Sequence, residues 1–158
     1  MHVPPQLSDI VRAHAWALTV RPCDLPHWRR TVASVLKAWG APPDSAELAC
    51  LGVTELLTNV LKHVASDPRC YLRIDRTDTG TGAVIAVHDR SSVLPAVTEP
   101  DWGRESGRGL WLLREMFGCL GCEHLPGGSG KRVWFRCDLG GQPRGDSGSP
   151  APPGSRPT

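Results

Sequence analysis

The chain has 158 residues, of which 40% are hydrophobic and 22% are charged, and its formal net charge at pH 7 is +2. This length fits one domain with a single core, and the charge is too small and too scattered to predict a nucleic-acid surface. No apolar stretch approaches the roughly 20 residues of a membrane-spanning helix, and no cationic segment precedes an apolar run, so we predict a cytoplasmic protein without membrane attachment.

Composition divides the chain into three parts. Residues 140–158 are dominated by Gly, Pro and Ser and lack apolar periodicity. Such a segment cannot bury enough apolar surface to offset its ordering entropy. We therefore predict a flexible N-terminus over residues 1–9, one folded domain over residues 10–139 and a disordered tail over residues 140–158.

Short strands and longer helices are predicted in turn along the domain. An amphipathic helix follows the first strand, and Asp44 and Glu47 fit a capping box at the start of a second helix that ends near residue 64. Hairpin connections between strands predict an α+β fold, with one mixed sheet and helices on one face. The strands are predicted at residues 14–20, 70–75, 83–88, 120–124 and 132–138, and the helices at residues 25–39, 44–64 and 108–117.

The second predicted helix carries a polar stripe made of Glu55, Asn59 and His63. Four residues of α-helix turn by about 400°, so side chains with this spacing share one face. The rest of the helix is apolar, and burial of an acid or amide without a partner costs about 1–3 kcal/mol. The stripe therefore indicates a ligand site, although the same spacing also fits an amphipathic helix whose polar edge meets solvent.

Asp89 directly follows the apolar strand predicted at residues 83–88. An aspartate in this position is often only a turn former. Its carboxylate can also accept a hydrogen bond from an exocyclic amine, such as the N6 amine of adenine. Both interpretations stay open on this motif alone.

Two glycine motifs follow in the second half of the chain. Gly107 and Gly109 open the third predicted helix, where free backbone N–H groups bind anions and glycine lets a phosphate approach them. A glycine turn at residues 127–130 leads into the last predicted strand, which begins with Lys131 and Arg132. Each motif alone is common, and the second predicts only a hairpin.

Taken in order, the four motifs resemble those of the GHKL ATPase superfamily. The closer resemblance is to its small anti-sigma-factor serine kinases and to related stand-alone actinobacterial ATP-binding proteins. It spans residues 13–139 and includes Trp39 and Gly40 at the end of the first helix and Val133 and Trp134 in the last strand. It implies a two-layer α/β sandwich with a mixed, mainly antiparallel sheet, and binding of ATP with Mg²⁺.

The resemblance also implies individual roles. Glu55 stands where the acid that activates a hydroxyl stands, Asn59 where the Mg²⁺ ligand stands, and Asp89 where the adenine-binding acid stands. His63 fits either a brace on the ribose or phosphate side of the pocket or a structural histidine. The remaining nucleotide-binding residues are expected in the phosphate loop, at Gly107, Arg108, Gly109 and Leu110.

One motif departs from the superfamily pattern. The strand aspartate is usually followed as D-x-G-x-G, whereas here Asp89 is followed by Arg90, Ser91, Ser92 and Val93. Loss of both glycines removes backbone freedom next to the adenine base, which bears on tight ATP binding and on turnover rather than on the fold. The segment at residues 95–105 is also shorter than the mobile lid of the wider superfamily.

Two classes of function fit this pattern. In the first, the protein is a serine/threonine kinase that phosphorylates a small antagonist protein and controls a sigma factor. In the second, it is a non-catalytic ATP-dependent switch that binds proteins. Glu55 favours the enzyme, because a switch needs Asn59 and Asp89 but no base. The expected partners are a sigma factor and the antagonist, without direct contact to nucleic acid or membrane, and dimerisation stays open.

A histidine-kinase core fits less well, because His14 lies in a predicted strand rather than in a dimerisation helix. The chain also has six cysteines, of which Cys119 and Cys122 have the C-x-x-C spacing of a zinc site. A structural zinc ion needs four ligands, and no second pair of this kind occurs. We therefore predict free thiols, with Cys50 and Cys137 in the core.

Overall fold

The computed structural model describes residues 11–64, 66–94, 114–115 and 120–140 of the chain. In these residues it contains five strands and two long helices, and residues 114–115, inside the third predicted helix, are helical. The elements in chain order are β1 (Ala13–Thr19), α1 (Leu25–Ala38), α2 (Pro43–His63), β2 (Arg69–Arg76), β3 (Gly82–Asp89), β4 (Leu120–His124) and β5 (Lys131–Asp138). The rest of the third predicted helix and both predicted tails beyond Gly140 and before Val11 lie outside the described residues.

The five strands form one sheet in the order β1-β2-β3-β5-β4. All four pairings are antiparallel, so the described sheet is more uniform than the mixed one that was expected. The α+β prediction is confirmed, and each predicted strand lies within one residue of its observed bounds.

One face of the sheet forms the core with the two helices. Side chains alternate between the faces of a strand, and in β2 this alternation buries Cys70, Leu72 and Ile74 while Tyr71 and Arg73 stay exposed. Both helices contribute apolar side chains to the same core cluster, among them Leu36 of α1 and Leu57 of α2. Full burial of such a side chain stabilises the fold by about 1.5–3 kcal/mol.

The direction of α2 across the sheet follows from two close contacts. A Cβ added at Gly140, just after β5, would lie 2.8 Å from the Cγ atom of Pro42, just before α2. A Cβ added at Gly52 would overlap the ring of Phe135 in the middle of β5. The helix therefore runs antiparallel to β5, and its last turns lie at the end of the sheet where β5 begins.

The start of α2 differs from the predicted capping box. Its N-cap is Pro42, with no side-chain hydrogen bond to the backbone, and Asp44 lies inside the first turn. Pro43 at the first helical position has no N–H that needs a partner, and its fixed φ suits the helix. Asp44 still favours this helix end through the helix dipole, so the position of the start was correct and the capping mechanism was wrong. Neither described helix is both long and apolar enough to cross a bilayer.

Candidate functional site

The burial of the polar stripe on α2 varies along the helix. Asn59 is buried, with 9% of its surface exposed, Glu55 is half-buried and His63 is exposed. No hydrogen bond joins the Asn59 amide to another described residue. The amide atoms of Asn59 are not among the fully buried polar atoms that lack a partner, so solvent reaches them and they are open to a ligand. The exposure of His63 agrees with a side chain that the core does not need.

Glu55 lies one turn before Asn59, where its environment suits a proton acceptor. Burial raises the pKa of Glu55, and the positive charge of Lys62 opposes part of this rise. A carboxylate with a raised pKa holds a proton more readily near neutral pH than an ordinary glutamate. The pair therefore combines a neutral oxygen donor and a candidate base on one helical face.

Asp89 is the last residue of β3, and its side chain points to the helical face of the sheet. It is 4% exposed and pairs with Cys70 of β2 and Lys131 of β5. The Oδ1 atom of Asp89 accepts a hydrogen bond from the Ser91 N–H at 2.8 Å, and the Val93 N–H donates to the Ser91 hydroxyl oxygen at 3.2 Å. Side-chain hydrogen bonds thus shape the turn that glycines shape in the superfamily pattern.

Lys131 is a site residue that the sequence analysis did not identify. Its side chain is fully buried, and its Nζ atom donates to the Val93 carbonyl oxygen at 2.9 Å. The same Nζ lies 3.6 Å from Oδ2 of Asp89. The available signal was the alternation along β5, which places Lys131 on the same buried face as Val133 and Phe135.

The stripe of α2 and Asp89 lie at the same end of the domain. The last turns of α2 lie where β5 begins, and Lys131, the first residue of β5, is paired with Asp89. The segment after α2 is tied to the segment after β3, because Arg90 Nη1 donates to Asp67 Oδ2 at 3.2 Å. The structure therefore brings Glu55, Asn59 and Asp89 to one end of the space between the helices and the sheet.

The predicted phosphate loop lies outside the described residues. The assignments of Gly107, Arg108, Gly109 and Leu110 therefore stay predictions. The described residues include no cluster of three or more His, Cys, Asp or Glu side chains that could hold a metal. The single Asn59 oxygen fits Mg²⁺, which takes most of its ligands from phosphates and water in nucleotide sites.

The described cysteines are all free thiols, as predicted, and Cys119 lies outside the described residues. Cys137 is in the core, and burial raises its pKa to about 11. Cys50 is only partly buried, because it lies between the two helices, where its thiol donates to the Arg29 carbonyl oxygen at 3.4 Å. In these environments the thiols of Cys50 and Cys137 contribute to packing and are not activated as nucleophiles.

A cavity of about 500 Å³ opens at the same end of the sheet but away from the stripe. Its described lining includes Tyr71 and His88, which lie on the face of the sheet opposite the helices, and includes no residue of α2. Arg69 and Arg90, at its edge, are both bonded to Asp67. Asp89 also lines this cavity, so the cavity adjoins the end of β3 that holds this carboxylate.

Comparison with known families agrees with this fold. The model of the histidine kinase-like ATPase domain matches residues 18–137, from within β1 to within β5. No curated protein shows a significant match to the chain. The family match supports ATP binding and an ATP-dependent regulatory function. The chain therefore belongs to the histidine kinase-like ATPase family, whose domain is of the GHKL type.

Proposed function

We propose that the protein is an ATP-dependent serine/threonine kinase of the anti-sigma-factor type, which phosphorylates a small antagonist protein and thereby controls a sigma factor. The observation that supports this proposal is the pairing of a half-buried Glu55 with Asn59 one turn later on α2, whose amide makes no hydrogen bond to another described residue and is open to a ligand. A domain that only bound nucleotide would need Asn59 and Asp89 but no acid in the position of Glu55.

On this proposal, several parts of the chain share the binding of Mg²⁺ and ATP. Asp89 would accept a hydrogen bond from the N6 amine of adenine, since its carboxylate keeps lone pairs beside its contacts with Ser91 and Lys131. Asn59 would provide the protein ligand to Mg²⁺, which offsets charge on the phosphates. The predicted phosphate loop would hold the γ-phosphate through its backbone N–H groups.

The chemical role of Glu55 is to accept the proton of the substrate hydroxyl. The serine or threonine oxygen of the antagonist forms a bond to the γ-phosphorus of ATP, and the bond from that phosphorus to the β-phosphate bridging oxygen breaks. The hydroxyl proton passes to the Glu55 carboxylate, and ADP leaves. The raised pKa of Glu55 makes this transfer more favourable than it would be to an ordinary glutamate.

Phosphorylation would then act on partner choice. Added phosphate brings about −1.5 to −2 charges to the antagonist, which disfavours docking beside carboxylates such as Glu55. Release of the modified antagonist would leave the protein free to bind its sigma factor. On this proposal the protein acts in the cytoplasm.

A non-catalytic ATP-dependent switch is the second candidate function. The turn after Asp89 favours it, because Ser91 and Lys131 engage both carboxylate oxygens where the superfamily pattern has flexible glycines. Slow or absent turnover would follow if this rigid turn restricted nucleotide entry.

A phosphotransfer assay with Glu55→Gln separates the two functions. The amide keeps the size of the side chain but cannot accept the proton, so transfer of labelled phosphate from ATP to a candidate antagonist should fall about 10²–10⁴-fold while ATP binding persists. Glu47→Gln, at an exposed position on the same helix, is the matched control and should transfer normally. Wild-type protein that binds ATP and antagonist but transfers no phosphate would exclude the kinase and leave the switch.

A further inference from the structure

We propose that Lys131 is a positioning residue of the nucleotide site. Its buried ammonium group ties the Asp89 carboxylate to the Val93 backbone and so orients this carboxylate before adenine binds. The role of this tie in the recognition of adenine rests on the proposed nucleotide-binding function. The tie itself can be tested without nucleotide.

The burial of Lys131 shows that its ammonium group is committed to this contact. Among the described residues the buried polar or charged side chains are Asn59, Asp89 and Lys131, and Lys131 alone has no exposed surface. Burial of an ammonium group is strongly unfavourable unless it is paired and hydrogen-bonded. The Val93 carbonyl oxygen at 2.9 Å and Asp89 Oδ2 at 3.6 Å supply these partners.

The Asp89 carboxylate is held on both of its oxygens. Oδ1 accepts from the Ser91 N–H at 2.8 Å, and Oδ2 faces the ammonium group of Lys131. Each oxygen has more than one lone pair, so these contacts orient the carboxylate without saturating it. The direction of the remaining lone pairs is therefore set before a ligand binds, which lowers the ordering cost of binding.

Val93 is held at two backbone atoms although its side chain is 61% exposed. Its N–H donates to the Ser91 hydroxyl oxygen at 3.2 Å, and its carbonyl oxygen accepts from Lys131. The turn at residues 89–93 is thus closed by one cation that lies 38 residues from Val93 in sequence. Gly130, with a φ of 146°, permits this approach, because a Cβ there would overlap the Asp89 carbonyl oxygen.

The tie is tested first in the ligand-free protein, by amide hydrogen exchange measured by NMR. Lys131→Met keeps the length of the side chain and removes its charge, so exchange at the Ser91 and Val93 amides should accelerate about tenfold relative to wild type. Arg132→Met is the matched control, because Arg132 is the next residue and its guanidinium instead packs over the Trp134 ring at 4.5 Å. Unchanged exchange at both amides in Lys131→Met would overturn the tie.

The second measurement is the ratio of ATP to GTP affinity by calorimetry in the same variants. Because the Asp89 carboxylate is no longer oriented before the nucleotide binds, Lys131→Met should lower this ratio about tenfold. Arg132→Met should keep the wild-type ratio. Faster exchange with an unchanged ratio would show that Lys131 only supports the fold, which overturns its positioning role.

Two further outcomes keep the tests separate. Wild-type protein that binds neither nucleotide would contradict the proposed function, and the exchange measurement would still decide whether Lys131 ties Asp89 to Val93. If Lys131→Met does not fold, Lys131→Gln retains one donor group for the Val93 carbonyl oxygen. That variant should change both readouts in the same direction by a smaller factor, and wild-type values in both would overturn the proposal.

Discussion

At the scale of single residues, the buried polar and charged side chains of the described residues differ in the partners that they have. Asp89 and Lys131 partly compensate each other, whereas Asn59 has no partner among the described residues. Glu55 is intermediate, because it is half-buried and lies near the charge of Lys62. The effect of pH on stability, through Glu55, and the effect of a ligand on stability, through Asn59, can therefore be measured separately.

Glu55 should make the stability of the protein depend on pH. Burial raises its pKa in the folded state, so the folded protein binds this proton more tightly than the unfolded chain does. The free energy of unfolding should therefore fall as pH rises from the ordinary glutamate value of about 4.3 to the raised folded value. Glu55→Gln cannot titrate, and denaturant unfolding at several pH values should show it gaining stability over wild type through that window.

The exposed position of Glu47 supplies the control for this measurement. Glu47→Gln also removes a glutamate of α2, so a change that both variants share does not come from the burial of Glu55. Parallel curves for Glu55→Gln and wild type would contradict the raised pKa of Glu55.

At the scale of elements, the packing of α2 on β5 decides where the stripe lies. Gly52 lets the helix approach the ring of Phe135, and the polar residues two turns further on then reach the end of the sheet that holds Asp89. A larger side chain at Gly52 would separate the two layers. The site therefore depends on a contact that carries no chemistry itself.

Gly52→Ala tests this contact through two opposing effects. Alanine is better than glycine inside a helix by about 1 kcal/mol. Overpacking against the Phe135 ring costs about 1–3 kcal/mol, so we expect a net loss in the free energy of unfolding by denaturant titration. Phe135→Leu in the same chain should recover part of the loss, and a Gly52→Ala variant more stable than wild type would show that the layers are less tightly packed.

At the scale of the whole molecule, nucleotide binding is linked to folding stability. A ligand that binds only the folded state at 100 times its dissociation constant stabilises it by about 2.7 kcal/mol. A thermal melt of the wild-type protein should therefore shift upward with ATP, and more so when Mg²⁺ is present. The family match and the position of Asn59 both support this response.

Asn59→Ala should separate the metal from the fold. The amide has no hydrogen bond to another described residue, so its removal should leave the melting temperature of the ligand-free protein within a few degrees of wild type. The extra shift caused by Mg²⁺ should disappear. A variant that keeps the full Mg²⁺-dependent shift would show that Asn59 is not the metal ligand.

Local patterns in the sequence were sufficient for the elements and for part of the site. Strand alternation and helix periodicity predicted the five strands and α1 and α2, because burial on one face imposes a period that a single segment already displays. The spacing of Glu55 and Asn59 placed both on one face of α2 for the same reason. The capping box failed because Asp44, its expected N-cap, already lies inside the first turn of a helix whose N-cap is Pro42 and which begins at Pro43.

The sequence by itself determined the fold class, the polar stripe on α2 and the position of Asp89 at the end of a strand, since each follows from the chain's own periodicity. Only the tertiary structure decided that Lys131 closes the turn after Asp89 and that α2 carries Asn59 to the same end of the sheet. Those contacts join segments distant in sequence, and their geometry follows from the packing of helices on the sheet, which no local pattern specifies.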